Sequence, residues 1–108
     1  MNFRELAGNA GLEKDDFIKL SELFIEVSSS DLKKLQHAID RGDSQGAAEA
    51  AHSIKGASGN LGFEEIYEVA KGIEMNARQN ILEGAFEAVK SLQERLDLIS
   101  KDLRENLL

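Results

Sequence analysis

The sequence predicts an all-α protein: an antiparallel four-helix bundle, up-down-up-down, preceded by a short N-terminal arm or helix. Three observations carry that prediction. Proline is absent, and alanine, leucine and glutamate are the commonest residues, which favours helix and removes its strongest breaker. Apolar residues recur at three- and four-residue spacing along four successive stretches. Short polar or glycine-bearing breaks separate those stretches, so neighbours in sequence fold back as neighbours in space. A chain of 108 residues supports one core and is read as a single domain, with the arm over 1–12 and the bundle over about 13–107.

Each element has a local reason. Gly8, Asn9 and Gly11 limit the first dozen residues to an arm or a short turn of helix. From Asp15 onward, Phe17, Leu20, Phe24 and Val27 follow an i, i+3, i+7, i+10 pattern, which Leu32, Leu35 and Ile39 continue at helical spacing. The run SSSD at 28–31 offers a bend, or a cap at Ser30 or Asp31; the preferred reading is one long helix that Gly42 stops. Asp43 or Ser44 caps a second helix, which reaches about Asn60, ends at Gly62 and buries Ala47, Ala51, Ile54, Ser58 and Leu61. A third opens at Phe63-Glu64-Glu65, whose acids complement the helix dipole, and carries Ile66, Tyr67, Ala70, Ile73 and Ala77 on its apolar side. After a break at Gln79–Asn80 and Gly84, a fourth aligns Phe86, Val89, Leu92, Leu96, Ile99 and Leu103.

Composition narrows the function classes. Twenty acids against thirteen bases leave a formal net charge of −7, the wrong sign for nucleic acid. The absence of cysteine removes disulfides, thiolate zinc sites and thiol catalysis. No run of about 18 apolar residues offers a membrane span, and the first residues lack the apolar segment of a signal peptide. A cytoplasmic monomer that binds other proteins, and neither membrane nor nucleic acid, is the expectation.

The chemistry gathers around "AAHSIKGASGNLGF", residues 50–63. A helix advances about 100° per residue, which sets His52 on the flank of the second helix's core stripe. Its neighbours on that face are Gln45, Ala48, Lys55, Gly56 and Gly59, mostly the smallest residues available. Each interior glycine costs a helix about 1 kcal/mol relative to alanine. A structural histidine gains nothing from two of them, whereas a reactive one gains access. His37, in "KKLQHAID", has no such neighbours and is read as a plain surface residue. One turn from His52, the Lys55 ammonium is within reach of an anion carried on the imidazole, which suggests a phosphoryl group on nitrogen.

Glu74 falls inside the apolar arc of the third helix. Its carboxylate either snorkels to water at the stripe's edge or takes His52 or Lys55 as a partner across the helix pair. A carboxylate accepting from one ring nitrogen sets the tautomer and leaves the other lone pair free to attack. Other chemistries lack residues. "GASGNLG" has a phosphate loop's composition without its Gly-Lys-Ser/Thr ending or a preceding strand, so no ATP site is visible. Two histidines without cysteine do not make a zinc site, and no metal is assigned to this chain.

The run Ala51-His52-Ser53-Ile54-Lys55-Gly56-Ala57-Ser58-Gly59-Asn60-Leu61-Gly62 resembles the signature of histidine-containing phosphotransfer (HPt) domains. That signature is an alanine and the histidine, an aliphatic residue two further on, Lys-Gly, a small residue, and an aliphatic-Gly ending. The upstream "LQHAIDRGDSQGAAEAAH" is similar to the family's approach to its histidine, and the likeness runs from about residue 13 to the end. The resemblance implies a four-helix bundle that carries a phosphoryl group on His52, through Nε2, from one response-regulator receiver domain to another. It further implies that Lys55 pairs with the phosphoryl oxygens, that Gly56 lets the receiver approach, and that Glu74 hydrogen-bonds the imidazole. No cofactor is implied for this chain; the receiver supplies magnesium and the aspartate, and a hybrid sensor histidine kinase is a further expected partner. The same run is similar to the phosphotransfer domain of chemotaxis-type kinases, whose additional helix has little room after Leu96. The readings set against a free-standing relay protein are therefore a domain excised from such a kinase or a hybrid kinase, and a helical adaptor that binds a receiver without accepting phosphate.

Overall fold

The computed structural model describes residues 1–106, so residue 107, the last of the expected bundle, lies outside the described residues. The described chain is all helix: α1 (Phe3–Asn9), α2 (Lys14–Asp40), α3 (Ser44–Leu61), α4 (Glu64–Arg78) and α5 (Ala85–Asn106). Helix α2 packs against α3 and α5, α4 packs against the same two, and α1 lies on α2. The result is a closed ring of four long helices around one core.

The ends form where local chemistry dictates. Asp43 caps α3, its carboxylate accepting from the Gly46 N–H at 2.9 Å. Gly62 closes the same helix in the left-handed region at φ 79°, and the Phe63 N–H returns to the Ser58 carbonyl at 3.0 Å. The SSSD run neither caps nor divides α2, which stays helical across it.

The first residues form a true helix because they have core to cover. Phe3 and Ala7 are buried, and the Phe3, Phe17, Phe63 and Phe24 rings follow one another with centroids 6.4, 5.9 and 5.1 Å apart. That tilted aromatic run joins α1, α2 and the start of α4, and each buried ring contributes on the order of 2–3 kcal/mol.

Three residues expected in the core are not there. Leu20 and Val27 are exposed on α2, beside Leu23, and the buried centre line passes instead through Phe17, Ser21, Phe24, Ser28 and Leu35. With α3 and α5 on its two flanks, α2 turns a face to the core that is rotated from the Leu20–Val27 line; a bulky residue is inside only if a partner helix lies over it. Phe86 is 62 % exposed, because Ala85, four residues before Val89, holds the buried stripe at the start of α5. Tyr67 is half-buried on α4, while the whole expected stripe of α3 is buried.

Candidate functional site

Helices α3 and α4 form the site between them. His52 stands on the α4 flank of α3 with its side chain 61 % exposed, whereas the Glu74 side chain facing it from α4 is 7 % exposed. The His52 Nδ1 lies 2.8 Å from Glu74 Oε2. Lys55, one turn further along α3, places its Nζ 2.6 Å from Glu74 Oε1. Arg78, one turn further along α4, donates from Nη2 at 2.6 Å and from Nε at 3.0 Å to Glu74 Oε2. One buried carboxylate thus collects a histidine, a lysine and an arginine.

The charge state of that carboxylate decides the tautomer of the ring. Burial pushes the Glu74 carboxyl up, but hydrogen bonds from Lys55, Arg78 and His52, with the Lys55 charge, outweigh it and hold it at about 2. At neutral pH Glu74 is therefore an ion that can only accept. The ring nitrogen against it must be the donor, so a neutral His52 carries its proton on Nδ1 and its lone pair on Nε2. The exposed edge of the ring is the nucleophilic one.

The other residues named from the sequence divide into two groups. Gly56, one turn from His52, borders open space: a Cβ there would meet nothing within 4 Å. Gly59 has a different reason to be glycine, because a Cβ there would lie 3.2 Å from Cδ2 of Tyr67. It stands at the close contact of α3 with α4 while remaining exposed itself. Ala48 is buried beneath the site, so it does not line an approach to it. Gln45 is exposed and donates to Glu49 at 3.4 Å, away from the ring. On the other side of α3, the Ser53 hydroxyl donates to Asp31 of α2 at 2.6 Å, fixing α3 against α2 beside the site. His37 lies exposed near the end of α2 with no partner among the hydrogen bonds of the site.

Arg78 is the site residue that sequence reasoning missed. The signal was present: an acid on an apolar stripe with a base four residues later on the same helix is a pairing arrangement. Lys55, one of the two partners expected for Glu74, is ion-paired with it, so the ammonium expected to meet an anion on the imidazole already has a carboxylate partner. Its four-carbon stem is half-covered and its charge serves the buried carboxylate, which otherwise would be costly to leave ionised.

Among the described residues no group of three or more His, Asp or Glu side chains is gathered to hold a metal ion, and no helix is long and apolar enough to cross a membrane. Among curated proteins, none matches the chain in sequence. Among solved structures, the crystal structure of histidine-containing phosphotransfer protein B (HptB) from Pseudomonas aeruginosa PAO1 is similar over 98 % of this chain and 92 % of that one, with a TM-score of 0.85 and 25 % identity. The family model described as "Hpt domain" matches residues 19–102, a span that holds α3, α4 and every side chain bonded to Glu74. That sequence match over most of the chain, on a helical bundle of that shape, makes this chain a member of the Hpt domain family.

Proposed function

We propose that this Hpt domain is a relay intermediate, taking a phosphoryl group from the aspartyl phosphate of one receiver domain and passing it to another. Hpt proteins work with receiver domains and histidine kinases in two-component relays, and the family carries phosphoryl groups without an ATP-binding domain of its own. The observation that carries the reading is the His52–Glu74 pair, which places the proton of the neutral ring on Nδ1 and its lone pair on Nε2 in an exposed side chain.

In the proposed step, the Nε2 lone pair attacks phosphorus in line with the aspartyl oxygen. The N–P bond forms, the O–P bond breaks, and the receiver regains its carboxylate. The ring gains positive charge as the bond forms, and the Glu74 carboxylate 2.8 Å from Nδ1 opposes it. The second transfer is the reverse, onto another receiver's carboxylate. Lys55 supplies a cation for the phosphoryl oxygens, and magnesium belongs to the receiver.

The approach is across Gly56. Helix α2, which the Ser53–Asp31 bond ties to α3 beside the site, carries the exposed apolar residues Leu20, Leu23 and Val27. The connections 41–43 and 62–63 are too short to carry the chain back along a helix, so α2, α3 and α4 are read as running up, down and up, with α5 returning. We read these apolar residues and the glycine gap as the receiver's landing surface, on a monomer acting in the cytoplasm. Incubation with a phosphorylated receiver should label the protein, and His52→Gln should abolish labelling with helicity intact. Labelling that survives His52→Gln, or that is lost in His37→Gln, overturns the assignment.

A further inference from the structure

The position of Lys55 raises a question about charge. The ammonium assigned to the phosphoryl oxygens is held at 2.6 Å by Glu74 Oε1. Glu74 is buried, and an ionised buried carboxylate that loses its cation is strongly unfavourable. Lys55 can leave only if another cation stays behind. Arg78 is that cation, and it binds the other oxygen: Nη2 and Nε both donate to Oε2, which also accepts from His52 Nδ1. The two oxygens are therefore divided, Oε1 to the lysine and Oε2 to the ring and the guanidinium. Arg78 holds by two N–H bonds and Lys55 by one, so the lysine is the partner that gives way.

We propose that Arg78 is a positioning residue for phosphotransfer: by keeping Glu74 compensated at Oε2, it frees Lys55 to exchange Oε1 for the phosphoryl oxygens on His52. Only ionic contacts change in this exchange, and Lys55 returns to Oε1 when the phosphoryl group leaves. The inference rests on His52 as the phosphorylated residue but does not depend on which receivers serve it.

The test is a double-mutant cycle on the lifetime of the phosphohistidine. The whole chain is phosphorylated with phosphoramidate, a small-molecule donor, and loss of the N–P signal is followed by phosphorus NMR. In the wild-type background, Lys55→Gln should shorten the lifetime about tenfold, the worth of one charge-assisted hydrogen bond. In an Arg78→Gln background the lifetime should already be short, and Lys55→Gln should cost less than about twofold, because Lys55 stays on Glu74. Arg78→Lys, which keeps the cation, should restore the dependence on Lys55 and keeps the cycle readable should Arg78→Gln fold poorly. Equal losses from Lys55→Gln in all backgrounds overturn the proposal. So does an Arg78→Gln protein whose melting point falls while its phosphohistidine lifetime is unchanged. A receiver that fails to label His52 sinks the relay reading and leaves the cycle intact, whereas phosphoramidate labelling elsewhere than His52 sinks both.

Discussion

Acid should weaken this protein through Glu74 in particular, and Glu74→Gln isolates the effect. The carboxyl sits at about 2 in the folded protein against 4.5 for the ordinary group. Each pH unit between those values is worth about 1.4 kcal/mol, so the ionised form contributes about 3 kcal/mol to stability. Because the folded value is the lower one, the unfolded chain takes up its proton first as pH falls. The contribution is complete above about pH 5 and drains away as pH drops through the range down to about 2. Glutamine keeps the shape and an amide oxygen for His52 or Lys55 but has nothing to titrate. Urea unfolding of both proteins at a series of pH values gives the comparison. Wild type should start more stable at pH 7 and lose about 3 kcal/mol more than the variant by pH 2, on a total of about twice to four times that size for such a domain. The other acids titrate in both proteins and cancel. Parallel pH curves would refute the reasoning, since they would mean that the three cations do not hold Glu74 ionised.

The two glycines of α3 should respond differently to alanine. Gly56→Ala meets nothing within 4 Å and should raise stability by about 1 kcal/mol while slowing receiver-dependent labelling; Gly59→Ala crowds Tyr67 at 3.2 Å and should gain less in the same melts. Ser28→Ala should stabilise by about 1 kcal/mol in urea unfolding, because the buried Ser28 hydroxyl has no hydrogen-bond partner. Leu23→Glu and Val27→Glu replace exposed residues and should leave the melting point within about 2 °C of wild type, yet weaken receiver binding severalfold in titration calorimetry. A melting point that collapses in those variants would show the α2 line to be structural.

Much of the fold was legible because its signals are local. Asp43 as a cap and Gly62 as a stop depend on a few adjacent residues, and α3's stripe of Ala47, Ala51, Ile54, Ser58 and Leu61 is flanked by residues too polar or small to compete. On α2 the signal was ambiguous: Leu20 and Val27 are bulkier than Ser21 and Ser28, and periodicity favours bulk. The serines are inside because α3 and α5 lie over them. At the site, His52, Lys55 and Glu74 stood out, and a contact of Glu74 with His52 or Lys55 was among the readings; that the carboxylate takes both, and Arg78 besides, was not legible. Gly59 was assigned to access from its place on one helix, where its close approach to Tyr67 of the next helix could not be seen.

By itself, then, the sequence determined where helices begin and end, that four of them are amphipathic, and that one histidine is set among unusually small neighbours. These follow from backbone hydrogen bonding, caps and side-chain spacing within a few residues. Only the tertiary structure decided which bulky residues on α2 and α5 face water, and that Lys55 and Arg78 share one carboxylate with His52. Burial and charge pairing depend on what the adjoining helix presents, and a helix read alone shows only its own half of each contact.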